Sequence, residues 1–269
     1  MASACTITIE VGGIAICVRT LDRGFAALLE NHYAKFQSAA ARPKVKLDVE
    51  LMEANAAAGG SDVRVWNEGG TWHLSRGDFR AEYVPRRACG RARLRPTLYS
   101  MDSVLRILHT LLLAREGGFL LHAAGVIGQD RALLFSGVSG AGKTTLSRLA
   151  PSTVTLLTDE ISYVRRDGSG YRAFGTPFAG ELGRTGENTS ALLGAVYLLA
   201  KGRKDHTRDI APARAARALM RNLLFFAQDR ELVHNVFATV CDLVAGVPVR
   251  QLTFAPTPRV WELIQQEAW

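Results

Sequence analysis

A glycine-rich segment at residues 137–144 constrains the fold of this chain more than any other part of the sequence. It follows the pattern GxxxxGK[ST], and its residues are Gly137, Val138, Ser139, Gly140, Ala141, Gly142, Lys143 and Thr144. An apolar run, ALLFS, precedes it and a helix-compatible run follows it, which is the context that a phosphate-binding loop requires. We therefore predict a strand, a phosphate-binding loop and a helix in this order.

The loop has the composition of a phosphate cradle. Its glycines let the backbone curl so that successive N–H groups point at phosphate oxygens, and the helix that follows presents its positive end. Lys143 is expected to neutralise the β- and γ-phosphates, and the Thr144 hydroxyl to ligate Mg²⁺. The expected nucleotide-binding set is 137–144 with Thr145, and the expected ligands are ATP, with GTP as the alternative, and Mg²⁺. An incidental glycine-rich turn is the competing interpretation.

An acidic pair follows the next apolar run. Asp159 and Glu160 come directly after TVTLLT, and open α/β sheets commonly place their chemistry at strand ends of this kind. The spacing from Thr144 to Asp159 is shorter than in most GTPases and ATPases, which indicates a particular kind of P-loop protein. We predict that the pair holds Mg²⁺ or prepares the nucleophile. The alternative is a solvated acidic turn.

Composition and cysteine usage narrow the class of protein. With 269 residues, 48% of them apolar and 22% charged, the chain has enough apolar material for one large domain or for a small domain ahead of a larger one. Its four cysteines form no CxxC pair, so we expect reduced core thiols. The most apolar segment, near 104–114, is interrupted by Arg106 and His109, and the N-terminus does not resemble a secretory signal. We expect a folded cytoplasmic protein without a membrane span.

The net charge of +8 is compatible with binding to nucleic acid, an acidic peptide or an anionic membrane, and equally with an arginine-rich, GC-biased genome. Positive charge is most concentrated over 76–95, where arginines recur. We interpret this basic stretch as a solvated strand edge and loop, with an acidic partner as the alternative. No nucleic-acid-binding module accompanies the charge, which disfavours a nucleic-acid-stimulated ATPase.

The hydrophobic pattern places secondary structure along the chain. Helices are predicted over 25–36, 103–115, 213–227 and 257–268, where apolar residues recur at helical spacing. Strands are predicted over 5–19, 45–51, 63–69, 71–77, 119–128, 132–137, 153–166 and 247–254. NAAAGGSD (55–62) and KGRKDHTR (201–208) are predicted as loops, and Gly69-Gly70 as a hairpin turn. A domain boundary is expected near residue 100.

The order of the motifs in the second half resembles the HPr kinase/phosphorylase superfamily, whose fold is shared with phosphoenolpyruvate carboxykinases. The resemblance covers residues 100–268, and the segments that carry it are FLLHAAGV with His122, GVSGAGKTT, LLTDE, FGTPFAGE and APARAARALMRNLLFF. It implies an α/β chain with an HPr-kinase-like P-loop core over 101–269. A small α+β domain, where substrate or peptide recognition would lie, is expected over 1–100.

The resemblance also implies roles for individual residues. Asp159 matches the first of two consecutive aspartates, one of which acts as the base on the attacking hydroxyl. His122 matches a histidine that supports the acidic pair or the phosphate, although a histidine in an apolar run is by itself more often a core residue. Glu181 corresponds to an acidic residue that helps to bind metal. The implied catalytic set is therefore Asp159, His122, Lys143 and Glu160, and the implied metal set is Thr144, Asp159, Glu160 and Glu181.

The chain departs from that family in two respects. Glu160 replaces the second aspartate, which lengthens the carboxylate arm by one methylene, and the longer glycine-rich signature of the phosphorylase reaction is absent. The residues before 100 look more like those of HPr-kinase-like proteins from peptide-modification clusters, including lasso peptide clusters. The expected activity is transfer of a γ-phosphoryl group to a hydroxyl, most of all a serine of a peptide or protein. A nucleotide-dependent binding module with little turnover is the alternative, and a homo-oligomer is left open.

Overall fold

The computed structural model describes residues 3–53, 62–168, 170–183 and 185–268. The chain divides into two compact units. The first unit comprises Met1–Leu112 and Phe225–Val233, and the second comprises Leu113–Leu224 and His234–Trp269. The loop predicted over 55–62 lies almost wholly outside the described residues.

The described residues of the first unit form a sheet of seven strands. The strands are β1 (Cys5–Val11), β2 (Ile14–Thr20), β3 (Val45–Leu51), β4 (Arg64–Glu68), β5 (Thr71–Arg76), β6 (Phe79–Val84) and β7 (Cys89–Leu94). Their order is β1-β2-β3-β7-β6-β5-β4. The pairs β2–β3 and β3–β7 are parallel, and the other pairs are antiparallel. Helix α1 (Arg23–His32) connects β2 to β3, and α2 (Leu98–Leu113) ends where the second unit begins.

Local sequence explains these elements. The Asp22 side chain caps α1 by accepting the N–H of Phe25 at 2.7 Å, and Phe25 and Leu29 are buried. The helix predicted over 25–36 ends earlier, at His32, and a short 3₁₀ turn follows. The predicted hairpin turn is confirmed, because Gly69 and Gly70 have φ values of 58° and 84° between β4 and β5.

The interpretation of 76–95 as a strand edge and loop is wrong for most of its length. The stretch contains β6 and β7, which lie inside the sheet between β5 and β3. Phe79, Ala81 and Tyr83 alternate towards the core, while Arg80 and Glu82 point away from it. Buried and exposed residues alternate along these strands, and the arginines at the exposed positions made that alternation hard to recognise in the sequence.

In the described part of the second unit, the chain forms a sheet of nine strands and four helices. The strands are β8 (Gly118–Gly128), β9 (Arg131–Ser136), β10 (Thr155–Thr158), β11 (Ile161–Asp167), β12 (Gly170–Phe174), β13 (Ser190–Lys201), β14 (His206–Asp209), β15 (Leu223–Leu224) and β16 (Val249–Phe254). The helices are α3 (Lys143–Arg148), α4 (Pro212–Arg221), α5 (Arg230–Gly246), which begins within the first unit's segment, and α6 (Val260–Ala268). With helices and mixed sheets in both units, the chain is an α/β protein.

Strand β8 pairs with four other described strands of the second sheet. One edge pairs with β10 and β11, and the other pairs with β9 and β15, all antiparallel. Strand β13 runs parallel to both β9 and β16. An aromatic group anchors the core beneath the glycine-rich loop, because Phe135 stacks on Tyr197 and meets Trp261 edge-on, each at 5.6 Å. The indole N–H of Trp261 donates to the Leu146 carbonyl at 3.2 Å, which ties α6 to α3.

Several boundaries differ from the sequence prediction. The strand predicted over 153–166 is broken at Asp159 and Glu160 into β10 and β11, and the helix predicted over 213–227 ends at Arg221. The helix predicted to begin at residue 103 begins at Leu98, and part of the loop predicted over 201–208 forms β14. The described residues contain no helix long and apolar enough to cross a membrane.

Candidate functional site

Four segments of the second unit converge on a cavity of about 210 Å³. They are β8, the glycine-rich loop with the start of α3, the connection between β10 and β11, and the segment near residue 181. The lining residues are His122, Ser139, Gly140, Gly142, Lys143, Thr144, Thr145, Asp159, Glu160 and Glu181. Residues far apart in the sequence therefore share one small polar site.

The glycine-rich loop turns sharply between β9 and α3. Gly140 and Gly142 have φ values of 74° and 110°, a region that residues with a Cβ rarely adopt. Space is also limited at Gly142, where a Cβ would lie 2.7 Å from the Phe254 ring. The Ala141 N–H donates to the Val138 carbonyl at 3.0 Å and closes the turn. Helix α3 is short, since it comprises only Lys143–Arg148.

Lys143 is held against the loop that precedes it. Its Nζ donates to the carbonyls of Gly137 and Val138 at 2.8 and 3.3 Å, and the residue is only 8% exposed. Burial lowers the pKa of Lys143, and the nearby carboxylates of Glu160 and Glu181 oppose this by raising it. An ammonium group has three donors, so one is left for an anion in the cavity.

Asp159 is the most constrained acidic group at the site. The residue is 3% exposed, and its two carboxylate oxygens accept the N–H groups of Gly180 and Leu182, each at 2.9 Å. Only glycine fits at 180, because a Cβ there would lie 2.8 Å from Asp159 Oδ2. Each carboxylate oxygen has a second lone pair. The two amides therefore fix the orientation of the carboxylate without using all its acceptor capacity.

A threonine shapes the turn that carries the acidic pair. The Thr158 hydroxyl accepts the N–H groups of Glu160 and Ile161, each at 3.2 Å, and Thr158 is 1% exposed. This turn directs Asp159 and Glu160 into the cavity at the point where β10 ends. Because the hydroxyl is buried beside the turn, the turn amides donate to it rather than to water.

His122 lies in the middle of β8, opposite the acidic turn. Its backbone is flanked by Ile161 of β11 and by the Asn222 carbonyl, which accepts the His122 N–H at 2.7 Å. The His122 carbonyl accepts the Ser136 hydroxyl at 3.1 Å. Pairing along both edges of β8 fixes the histidine at the cavity wall.

One family model matches this chain. Residues 94–268, more than half of the chain, match the family model described as SynChlorMet cassette protein ScmC. The chain belongs to the ScmC family. Every residue that lines the cavity falls within the ScmC match, whereas the seven-stranded sheet precedes it except for Leu94.

Other comparisons are less informative than the ScmC match. The solved structure titled "Structure of the Hpr(Ser) kinase/phosphatase from Coxiella burnetii" is similar at 12% identity, with 55% of this chain and 88% of that chain covered and a TM-score of 0.33. A likeness at that level assigns neither fold nor function to this chain. No sequence among the curated proteins matches.

Within the ScmC segment, the structure brings most of the predicted site residues together. His122, Lys143, Thr144, Asp159, Glu160 and Glu181 all line the cavity, as do Ser139, Gly140, Gly142 and Thr145. Gly137, Val138 and Ala141 do not line it. The Gly137 carbonyl binds Lys143, Val138 is 72% exposed, and Ala141 is packed inside the loop.

Sequence reasoning missed the groups that orient Asp159. The amides of Gly180 and Leu182 belong to the GTPFAGE region, which drew attention only for Glu181. A glycine one residue before that glutamate was the available signal, since glycine lets another group approach the backbone closely; here the group is the Asp159 carboxylate. Thr158 gave no signal, because its role depends on the local turn.

The donor set fits Mg²⁺ held jointly with phosphate. Among the described residues, no group of three or more histidine, cysteine, aspartate or glutamate side chains forms a metal cage. Mg²⁺ commonly uses one or two carboxylates, waters and substrate phosphates instead. The Thr144 hydroxyl and the carboxylates of Asp159, Glu160 and Glu181 supply oxygen ligands of that kind at one cavity.

Proposed function

We propose that the second unit is a nucleotide-dependent kinase, which transfers the γ-phosphoryl group of ATP to a hydroxyl, most of all a serine of a peptide or protein. One observation carries this proposal. A single cavity joins Lys143 and Thr144 of the glycine-rich loop to the carboxylates of Asp159 and Glu160. Positioning and charge stabilisation make up nearly all of the catalysis in phosphoryl transfer, and this cavity provides groups for both.

The cavity suits the phosphates rather than a whole nucleotide. At about 210 Å³ it is smaller than the roughly 300–1,000 Å³ of pockets that enclose whole drug-sized ligands. The triphosphate would therefore occupy the cavity, with the base outside it. The loop amides and the free donor of Lys143 would bind the phosphate oxygens. A negative phosphate would also favour the charged form of Lys143, against the burial that lowers its pKa.

Thr144, with one or two of the carboxylates of Asp159, Glu160 and Glu181, would hold Mg²⁺ together with the phosphates. The ion would supply neutralisation of charge on the phosphates during transfer. Glu181 is exposed and is carried by the same segment whose amides bind Asp159, so its position depends on that contact.

Asp159 is the proposed base. As the acceptor oxygen forms a bond to the γ-phosphorus and the bond to the leaving diphosphate breaks, the hydroxyl proton would pass to a free lone pair of the Asp159 carboxylate. The amides of Gly180 and Leu182 prevent the carboxylate from rotating away from the cavity. His122 would support the acidic pair or the phosphate from β8.

A separate observation favours a second candidate function. Both Asp159 oxygens accept backbone N–H groups, so the role of Asp159 in this second candidate is to hold the 180–182 segment. The chain would then be a nucleotide-dependent binding module for a peptide or protein, with little or no transfer. The two candidates differ in where the γ-phosphate goes.

Label transfer separates them. The full chain would be incubated with γ-labelled ATP, Mg²⁺ and a library of serine-containing peptides, with label followed on peptide, on the chain and as free phosphate. The kinase proposal expects label on a hydroxyl. Asp159→Asn should lower transfer by about 10²–10⁴-fold, as loss of a general base does, while nucleotide binding persists. Glu160→Gln should weaken Mg²⁺-dependent binding instead.

Asp130→Asn is the matched control. Asp130 is exposed in the turn between β8 and β9, and asparagine tolerates its φ of 62°. This change should leave transfer unaltered. Release of label only as free phosphate, or parental transfer by Asp159→Asn with normal nucleotide binding, would overturn the assignment of Asp159 as the base.

A further inference from the structure

The first unit carries a charged sheet face on the side away from its core. Along β4, β5, β6 and β7, alternate side chains point outward, and the buried ones include Trp72, Leu74, Phe79 and Ala92. The outward residues of these strands and of β3 surround a concavity of about 560 Å³. We call this surface the outer face. Its lining includes Glu50, Trp66, His73, Arg80, Arg91 and Arg93.

The strand register lines up three arginines across the outer face. Arg64 lies opposite Ser75, Ser75 opposite Arg80, and Arg80 opposite Arg93. Like charges directly opposite each other in a sheet are destabilising, so the Arg80–Arg93 pair lowers the stability of the free protein. In the part of the chain that the structure describes, neither Arg64 nor Arg80 forms an ion pair. Arg93 meets Glu50 only at 3.7 Å, with both side chains largely exposed.

An aromatic platform lies beside this arginine row. The Trp66 ring stacks on His73 with centroids 5.1 Å apart and planes 17° apart, and Trp66 is 44% exposed. His73 Nδ1 lies 3.5 Å from Glu82 Oε1, on the neighbouring strand. A large exposed ring next to charged groups is typical of a recognition surface, where rings contribute contact area with little loss of side-chain freedom.

We propose that the outer face binds an acidic polypeptide segment. Guanidinium groups match carboxylates in two-point hydrogen bonding, and the row at Arg64, Arg80 and Arg93 offers such groups on β4, β6 and β7. The stacked pair of Trp66 and His73 would cover an apolar side chain of the same segment. Binding would relieve the repulsion between Arg80 and Arg93, which the 3.7 Å contact of Arg93 with Glu50 offsets only in part.

The acids on the same surface favour a peptide over nucleic acid. Glu50 and Glu82 lie among the arginines and line the same concavity. A uniform polyanion would meet these carboxylates at close range, whereas a peptide can place carboxylates at the arginines and neutral or basic groups at the glutamates. This inference does not depend on the proposed kinase activity, since binding is measured without nucleotide.

Fluorescence anisotropy of short labelled peptides tests the proposal on the full chain. One probe combines glutamate, leucine and serine, and its partner carries glutamine in place of every glutamate. The acidic probe should bind and the glutamine probe should not. Arg80→Gln with Arg93→Gln should weaken binding of the acidic probe about tenfold or more, because charge-assisted hydrogen bonds are lost. Added salt should weaken it further.

Arg23→Gln with Arg42→Gln is the matched control, because both residues are exposed in the first unit, neither lines the concavity of the outer face, and the net charge changes equally. This pair should alter binding by less than about twofold. Equal losses in the two double variants would overturn the proposal by showing general charge attraction. Absence of binding, or tighter binding of single-stranded RNA than of the acidic peptide, would overturn it as well.

Discussion

Gly142 combines a backbone conformation and a lack of space that exclude other residues. Its φ is 110°, and a Cβ would lie 2.7 Å from the Phe254 ring. We expect Gly142→Ala to destabilise the second unit by about 1–3 kcal/mol, from backbone strain and overpacking together. Nucleotide binding should fall about tenfold or more because the loop amides would be displaced from the phosphates. Urea unfolding and binding of a fluorescent ATP analogue measure the two effects.

Gly140→Ala is the control for the strain alone. Gly140 also has positive φ, at 74°, but no atom lies within 4 Å of the position that a Cβ would take. It should cost about 1–2 kcal/mol from the left-handed backbone and no more. Phe254→Leu should restore part of the stability lost by Gly142→Ala. Equal losses at 140 and 142, or no rescue, would contradict the packing argument.

At the scale of the element, the turn between β10 and β11 depends on one hydroxyl. Thr158→Val keeps the shape of the side chain but leaves the N–H groups of Glu160 and Ile161 without their acceptor. We expect a loss of about 1–3 kcal/mol in the free energy of unfolding, as for other unsatisfied buried donors. Phosphoryl transfer should fall as well, since the turn directs Asp159 into the cavity.

Thr155→Val provides the comparison on the same strand. Thr155 is exposed at the start of β10, so the same chemical change there should alter stability by less than about 0.5 kcal/mol. Indistinguishable urea midpoints for the two variants would show that the Thr158 hydroxyl does not support the turn.

The same elements show what the sequence can and cannot reveal. The loop could be located because its glycines, lysine and flanking strand form one local pattern. Asp159 and Glu160 could be selected because they follow an apolar strand. Gly180 indicates a close approach at that position, but the sequence does not reveal that its amide and that of Leu182 hold Asp159, since this contact forms only in the folded chain. Every residue except proline has a backbone N–H, so the side-chain sequence does not reveal which N–H groups bind Asp159.

The elements that were missed have different physical causes. Strand β13 is a long apolar run, and periodicity alone does not separate a buried strand from a buried helix. Helix α5 contains β-branched residues that weaken the helix signal, although Leu232, Val236 and Val240 recur at helical spacing. Strands β6 and β7 were hidden by arginine at their outward positions, where only the alternation mattered.

For the whole molecule, the two units present two candidate sites of different chemistry. The cavity lies in the second unit inside the ScmC match, and the outer face lies in the first unit ahead of it. We expect hydrogen exchange to show two separate footprints. ATP with Mg²⁺ should slow exchange in 137–145, 158–161 and 180–182, and an acidic peptide should slow it in β5, β6 and β7. Near 100 times Kd, the slowing should approach about 100-fold for amides that exchange by opening the site.

Variants at each site make this experiment decisive. Lys143→Met keeps the apolar stem but removes the ammonium, so it should abolish the nucleotide footprint and leave the peptide footprint intact. Arg80→Gln with Arg93→Gln should do the reverse. Because each footprint is read in the presence of its own ligand, loss of one proposal leaves the other measurable. A nucleotide footprint that persists in Lys143→Met would show that the ammonium group does not hold the phosphates, and one that falls on β5–β7 would place the triphosphate outside the glycine-rich loop.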